Sequence, residues 1–192
     1  MRILTADWLL PISSPPVRSG AVVIDGNSII AVGTFDEITD RFTEADIEDF
    51  GPAVIMPGLV NCHAHLELTA MRGLLDTVEH DFLAWLLKLT RIRNEQMTDE
   101  EVEFSCLLGA IEGARAGVTC FGDVGRSGAA ALKALSNVGM RGVVFQETEF
   151  SVLDEQASEA FAKLKEKVLS LKKDETPLIE IGLSPHSPYT VS

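Results

Sequence analysis

Apolar positions come in two textures along this chain. Over the first 35 residues they fall in short runs, RILTADWLL, AVVIDG and SIIAVG, separated by Pro, Ser and Gly-Asn turn chemistry. That pattern predicts short strands. AVVIDGNSIIAVG, two β-branched runs around Asp25-Gly26-Asn27, predicts a hairpin. Residues 36–52 are acidic and weakly patterned, and predict a short helical turn over 35–42 followed by a loop.

From Ala53 the pattern changes. AVIMPGLVN is nearly continuous in apolar residues, as expected of a strand covered on both faces. Helical and strand spacings then alternate. HDFLAWLLKLTRIR carries Phe82, Trp85, Leu86 and Leu89 at helical intervals and predicts a core-facing stripe. Thr98 and Glu101 form a T-x-x-E capping box for a helix whose inner face is Val102, Cys106, Ala110 and Ile111, with Gly117 as its stop. VTCFGDV predicts a strand, SGAAALKALSNVG a helix ending at Gly139, and RGVVFQE another strand. Ser151 with Asp154 is placed to cap a helix with the stripe Phe161, Leu164, Val168 and Leu171, and LIEIGLS predicts a last strand. Such alternation implies a parallel sheet with crossover helices. A doubly wound sheet and a (β/α) barrel both fit the pattern. No Gly-rich phosphate fingerprint follows a strand, which disfavours the dinucleotide-binding version.

Composition narrows the function. The chain is 46% hydrophobic and 23% charged, ordinary for a folded soluble protein. Its net charge of −13, from 29 acidic and 16 basic residues, repels phosphate backbones and anionic membrane surfaces. Nucleic acid and membrane are therefore not expected partners; a small-molecule substrate is. No apolar run is long enough to span a bilayer, and the N-terminus lacks a clean signal-peptide core. Three widely spaced cysteines, Cys62, Cys106 and Cys120, read as reduced thiols of a cytoplasmic protein.

The chemistry concentrates in PGLVNCHAHLEL, residues 57–68. Residues i and i+2 of a strand share a face, so His63 and His65 project side by side if the strand persists. Two neutral imidazoles at that distance suit one divalent transition metal, although catalytic zinc takes about three protein ligands plus water. At the carboxyl end of a barrel strand their shared direction is the mouth, where barrel active sites lie. Glu67, two residues on, is placed either to orient a histidine or contact substrate, or to serve as an ion-paired rim residue. Asp123, at a strand end, reads as a turn cap. Glu147 and Glu149 read as solvated, and His80 as a helix-entry residue.

PGLVNCHAHLE resembles the metal-binding opening of the amidohydrolase superfamily. The similarity is to its cytosine deaminase/chlorohydrolase-like branch, which includes S-adenosylhomocysteine deaminases. GVTCFGDV, GMRGVV and SPHSPYTVS resemble that branch's later strand ends, in order and at fitting intervals. KLTRIRNEQ lacks the Pro-x-Glu common in deaminases of adenosine-like substrates, and HLELTAMRG with FLAWLLKL resembles the aminofutalosine deaminase-like subset. The resemblance implies an α/β fold, a metal-dependent hydrolase (β/α)8 barrel. Residues 1–55 would be strands of a small β-sandwich domain and residues 56–192 the first four β/α units. It implies His63 and His65 as metal ligands, with zinc the first choice and iron the second, and His186 and Arg141 as substrate contacts.

The family's third metal histidine, glutamate acid/base and metal-proximal aspartate belong to later strands, so the resemblance implies the N-terminal half of a larger enzyme, inactive alone. A homo-oligomer or a separate C-terminal half is the expected partner. The expected reaction is hydrolytic deamination of an aminated heterocycle or nucleoside-like substrate. The alternatives are dechlorination, amide-type hydrolysis, or a catalytically incomplete half-barrel needing a second chain.

Overall fold

The computed structural model of the chain describes residues 1–148 and 153–187, and its internal contacts separate two compact units, Met1–Pro57 and Gly58–Ser192. In the first, β1 (Arg2–Leu9), β2 (Val17–Asp25) and β3 (Ser28–Thr34) form an antiparallel meander. The predicted hairpin is the β2–β3 connection. Helix α1 (Phe35–Arg41) starts at Thr34, whose hydroxyl and backbone exchange bonds with Glu37. Where the sequence predicts a loop, strand β4 (Asp46–Asp49) forms, because its backbone pairs in parallel with β1; β5 (Val54–Ile55) then pairs in parallel with a later part of β1. Ile3, Ala21, Val23 and Ile38 form this unit's buried core.

The second unit is a four-stranded parallel sheet in the order β6-β7-β8-β9, where β6 is Leu59–Ala64, β7 Val118–Gly125, β8 Arg141–Glu147 and β9 Ile179–Ser184. A 3-10 turn (Leu66–Met71) follows β6. Helix α2 (Phe82–Arg91) runs into a π-helical turn (Ile92–Gln96), and α3 (Asp99–Arg115) leads into β7. Helices α4 (Gly128–Val138) and α5 (Asp154–Leu171) connect the later strands. Cys106 and Ala110 of α3, Ala131 and Leu135 of α4, Phe121, Val144 and Ile179 of the sheet make one core. The T-x-x-E box caps α3 as read: Thr98 accepts from Glu101 N, and Glu101 accepts from Thr98 N. Gly139 closes α4 at φ +75°, a conformation that costs a side-chain-bearing residue about 1–2 kcal/mol. Among the described residues no helix is long and apolar enough to cross a membrane.

Several expectations change. The run 53–61 is not one strand: β5 pairs with β1, and after Pro57-Gly58 β6 pairs with β7. Proline has no N–H to give a ladder, so the run breaks there. β6 is the outer strand of the sheet and largely exposed, because strand burial depends on what covers it. Helix α2 buries none of its residues, and Phe82 is 73% exposed. Asp81 caps it, accepting from Ala84 N, but periodicity reports an apolar stripe and not its partner. On α3 the inner face turns toward Ser105 and Gly109, leaving Ile111 exposed. On α5 Phe161 is exposed and Leu171 buried. Cys62 is exposed and Cys106 buried, where burial pushes its thiol pKa up. The predicted Ser151 cap lies outside the described residues, as does Glu149.

Candidate metal centre

The pairing of β6 with β7 carries an irregularity where the histidines sit. Asn61 stands opposite Phe121 and Ala64 opposite Asp123, so three steps on β6 face two on β7. A bulge re-aims side chains, and parallel barrels build their sites at this end. The strand stops at Ala64, and His65 opens the 3-10 turn. The two rings nevertheless converge: Nε2 of His63 and Nε2 of His65 are 3.2 Å apart, with ring planes nearly perpendicular.

Nδ1 of His65 lies 2.6 Å from the carbonyl oxygen of Val124. A carbonyl only accepts, so Nδ1 carries the proton and Nε2 presents its lone pair toward His63. Two nitrogens bound about 2.05 Å from one tetrahedral ion stand roughly 3.3 Å apart. The observed separation fits that geometry. Among the described residues no third His, Cys, Asp or Glu joins the pair to complete a metal site. A cavity of about 620 Å³ reaches His65 from the helix side, lined also by Leu66, Met71, Arg72, Glu112 and Phe121.

Buried polar groups surround the pair. Asp123, 2% exposed, accepts from Leu66 N at 2.8 Å. Burial pushes its carboxyl up to about 6, against the Leu66 bond and with the negative Glu67 nearby. Ser105 of α3 donates to Leu66 O at 3.1 Å and accepts from Ala70 N at 2.9 Å, satisfying the 3-10 turn at both ends. Glu67 is 6% exposed and does not extend the strand face. It forms a two-point ion pair with Arg93 of the π-helical turn, at 3.1 and 3.0 Å, and accepts from Arg126 N and Ser127 N just beyond β7. Burial alone would raise its carboxyl pKa; the Arg93 fork, with Ser127 and the Arg126 amide, outweighs that and holds it below the usual range.

His186 lies two residues past β9, at the same carboxyl edge of the sheet, as the register of Glu147 with Ser184 requires. Its Nδ1 is 2.6 Å from Glu147 Oε1, and its backbone N–H bonds Thr148 Oγ1. Glu147, read from sequence as solvated, is buried and also lies 3.7 Å from Arg126 Nε. Gln146 beside it accepts from Gly128 N and donates to Arg126 O. β6 and β9 are three strand spacings apart, about 14 Å along the sheet. His63, His65, Glu67 and His186 thus share one edge. Arg141 does not. It opens β8 beside Cys120, about 20 Å from the carboxyl edge, because parallel strands put every first residue at the opposite end. The sequence reading missed Arg93, Ser127 and Gln146. The usable signal was position: GDVGRS and FQE are polar clusters at the carboxyl ends of two parallel strands.

The sequence model described as the Amidohydrolase family matches residues 54–192. A relative, the 5-methylthioadenosine/S-adenosylhomocysteine deaminase of Nitratidesulfovibrio vulgaris (strain DP4), is 37% identical over 125 residues, 65% of this chain and 28% of its own length. The crystal structure of atrazine chlorohydrolase TrzN from Arthrobacter aurescens TC1, complexed with zinc, superposes over the whole chain and 48% of its own, with TM-score 0.81 and 20% identity. The Helicobacter pylori aminofutalosine deaminase in complex with methylthio-coformycin gives TM-score 0.75 and 20% identity over the whole chain and 45% of its own. The chain therefore spans less than half the length of these proteins, and its α/β fold with a parallel sheet is theirs over that span.

Proposed function

We propose, from the premise that the chain belongs to the amidohydrolase family, that it carries the paired histidines of a metal-dependent hydrolase of C–N bonds. The observation that carries this is the 3.2 Å approach of two imidazole Nε2 atoms, one of them freed for coordination by its Nδ1 bond to a backbone carbonyl. His63 and His65 would hold one divalent cation, zinc before iron. When bound, such a metal supplies Lewis-acid activation of water, lowering its pKa from 15.7 towards ~7.

The residues of the chain itself do the rest of what can be derived. The Val124 carbonyl fixes the His65 tautomer. Asp123 accepts from the amide next to that histidine and holds its backbone. Glu147 accepts from Nδ1 of His186 and so fixes the tautomer and orientation of that ring at the carboxyl edge. Arg141, at the far edge, takes no part.

The substrate we infer is an aminated heterocycle of nucleoside type, losing ammonia. The deaminase relative supports it, since it aligns at 37% identity. The test supplies the protein, at the full length of its relatives, with zinc and offers 5-methylthioadenosine and a chloro-substituted triazine in parallel, following ammonia and chloride. Ammonia from the nucleoside supports deamination. Chloride alone replaces it with the chlorohydrolase reading. Failure to take up zinc, with His63→Ala indistinguishable from the unaltered protein, removes the metal centre itself.

A further inference from the structure

Three consecutive residues of the histidine segment grip the end of β7. His65 bonds Val124 O, Leu66 bonds Asp123, and Glu67 accepts from Arg126 N at 3.4 Å and Ser127 N at 2.9 Å. The first two contacts follow from neighbouring strands. The third requires a buried charge and a cation brought from the π-helical turn after α2. Arg93 Nε bonds one oxygen of Glu67 and Nη2 the other, and Nη2 also reaches Ser127 Oγ at 3.0 Å. Each carboxylate oxygen therefore takes two donors, which fills its acceptor capacity and leaves nothing for a metal or a substrate. Gly125 makes room: a Cβ there would sit 3.2 Å from the Glu67 carboxyl carbon.

Stability alone is a weak reason to keep such a pair. Desolvating both charges offsets much of their attraction, and a well-packed apolar replacement is often as stable. What the pair does uniquely is tie three segments together, the turn after β6, the turn after β7 and the π-helical turn, two residues from His65.

We propose that the Glu67–Arg93 pair is a positioning device for His65, clamping its segment to the end of β7 so that Nε2 stays aimed at His63. This rests on the reading of the two histidines as metal ligands. Neither Glu67 nor Arg93 touches the metal.

The test measures zinc affinity of the metal-free protein by competition with a chromophoric chelator, and amide exchange at Leu66 without metal. Glu67→Gln is expected to weaken zinc binding about 10- to 100-fold, the range for losing a group that supports a metal ligand. Exchange at Leu66 accelerates, while exchange at Ile3 and Val23 in the first unit is unchanged. Arg93→Lys keeps the charge, loses the fork and moves both readouts in the same direction. It serves if Glu67→Gln does not fold. The double variant Glu67→Gln/Arg93→Gln is no worse than the weaker-binding single variant, because the two act as a unit. Folded variants with zinc affinity within twofold of the unaltered protein and unchanged Leu66 exchange overturn the proposal, even if their melting temperature falls. If the unaltered protein binds no zinc, the metal reading fails. Leu66 exchange then decides the clamp separately: acceleration in the variants supports it, and no change overturns it.

Discussion

The two edges of the parallel sheet are built differently. At the amino edge, where Leu59, Val118, Arg141 and Ile179 lie, the joints are backbone bonds: Leu59 N to Gly117 O and Gly142 N to Leu178 O. At the carboxyl edge lie Glu67, Asp123, Gln146 and Glu147, and Ser105 packs against the same turn. Apart from Thr5 of the first unit, these are all the buried polar or charged side chains among the described residues. Burying a polar group costs stability unless it is fully bonded. The amino edge closes with backbone bonds alone, the carboxyl edge with buried polar side chains, and the histidine pair sits at the second.

The comparison is broken most directly at the pair itself. His65→Ala should cost at least the ~100-fold in zinc affinity that loss of a supporting partner can cost, read by chelator competition, with the fold retained. A variant that binds zinc as before would leave the polar edge without its purpose.

Next in size is the pH dependence set by Asp123. Its folded pKa, about 6, lies above the ordinary 3.8. The folded protein therefore binds more protons than the unfolded one between those values, and this carboxyl's contribution to stability falls as pH rises from 4 to 6. Two units correspond to about 3 kcal/mol. Glu67, held below its ordinary value, acts in the opposite direction and loses its contribution as pH falls. Denaturant unfolding of metal-free Asp123→Asn against the unaltered protein isolates the first effect: the stability difference should grow in favour of Asn as pH rises through that window. A pH-independent difference would show that Asp123 titrates normally.

Ser105→Ala comes third. It leaves Ala70 N and Leu66 O in a buried turn with one partner fewer each, and should cost about 1–3 kcal/mol in chemical denaturation. The smallest effects belong to the amino edge. Gly139→Ala at positive φ should cost about 1 kcal/mol. Arg141→Ala should change stability by under ~0.5 kcal/mol and leave the substrate KM, measured at the full length of the relatives, where it was. A large KM change for Arg141→Ala would sharpen the contrast the other way, showing that the edges communicate.

Much of this was legible beforehand. The alternation of helix and strand, the hairpin, the Thr98 capping box and the Gly139 stop are local: hydrogen bonds and torsions within a few residues decide them, and spacing encodes those directly. The H-x-H pair was legible for the same reason, since two residues on one segment share a direction even where the strand ends between them. Where local signals touched long-range partners, they failed. Glu67 reads equally as a substrate contact or a rim charge until Arg93, 26 residues away, is seen to occupy it. Glu147 reads as solvated until His186, 39 residues on, closes over it. Arg141 beside a strand says nothing about which edge it marks until the strands' shared direction is known, and α2's apolar stripe does not name what it faces.

By itself, then, the amino-acid order determined the β2–β3 hairpin, the alternation of strands and helices after Gly58, and which two imidazoles travel together. Only the tertiary structure decided which charges are buried, which partners neutralise them and which edge of the sheet each one reaches. The reason is physical. Periodicity and capping are short-range properties of a backbone, whereas burial and ion pairing are properties of distance in space, which chain order does not record.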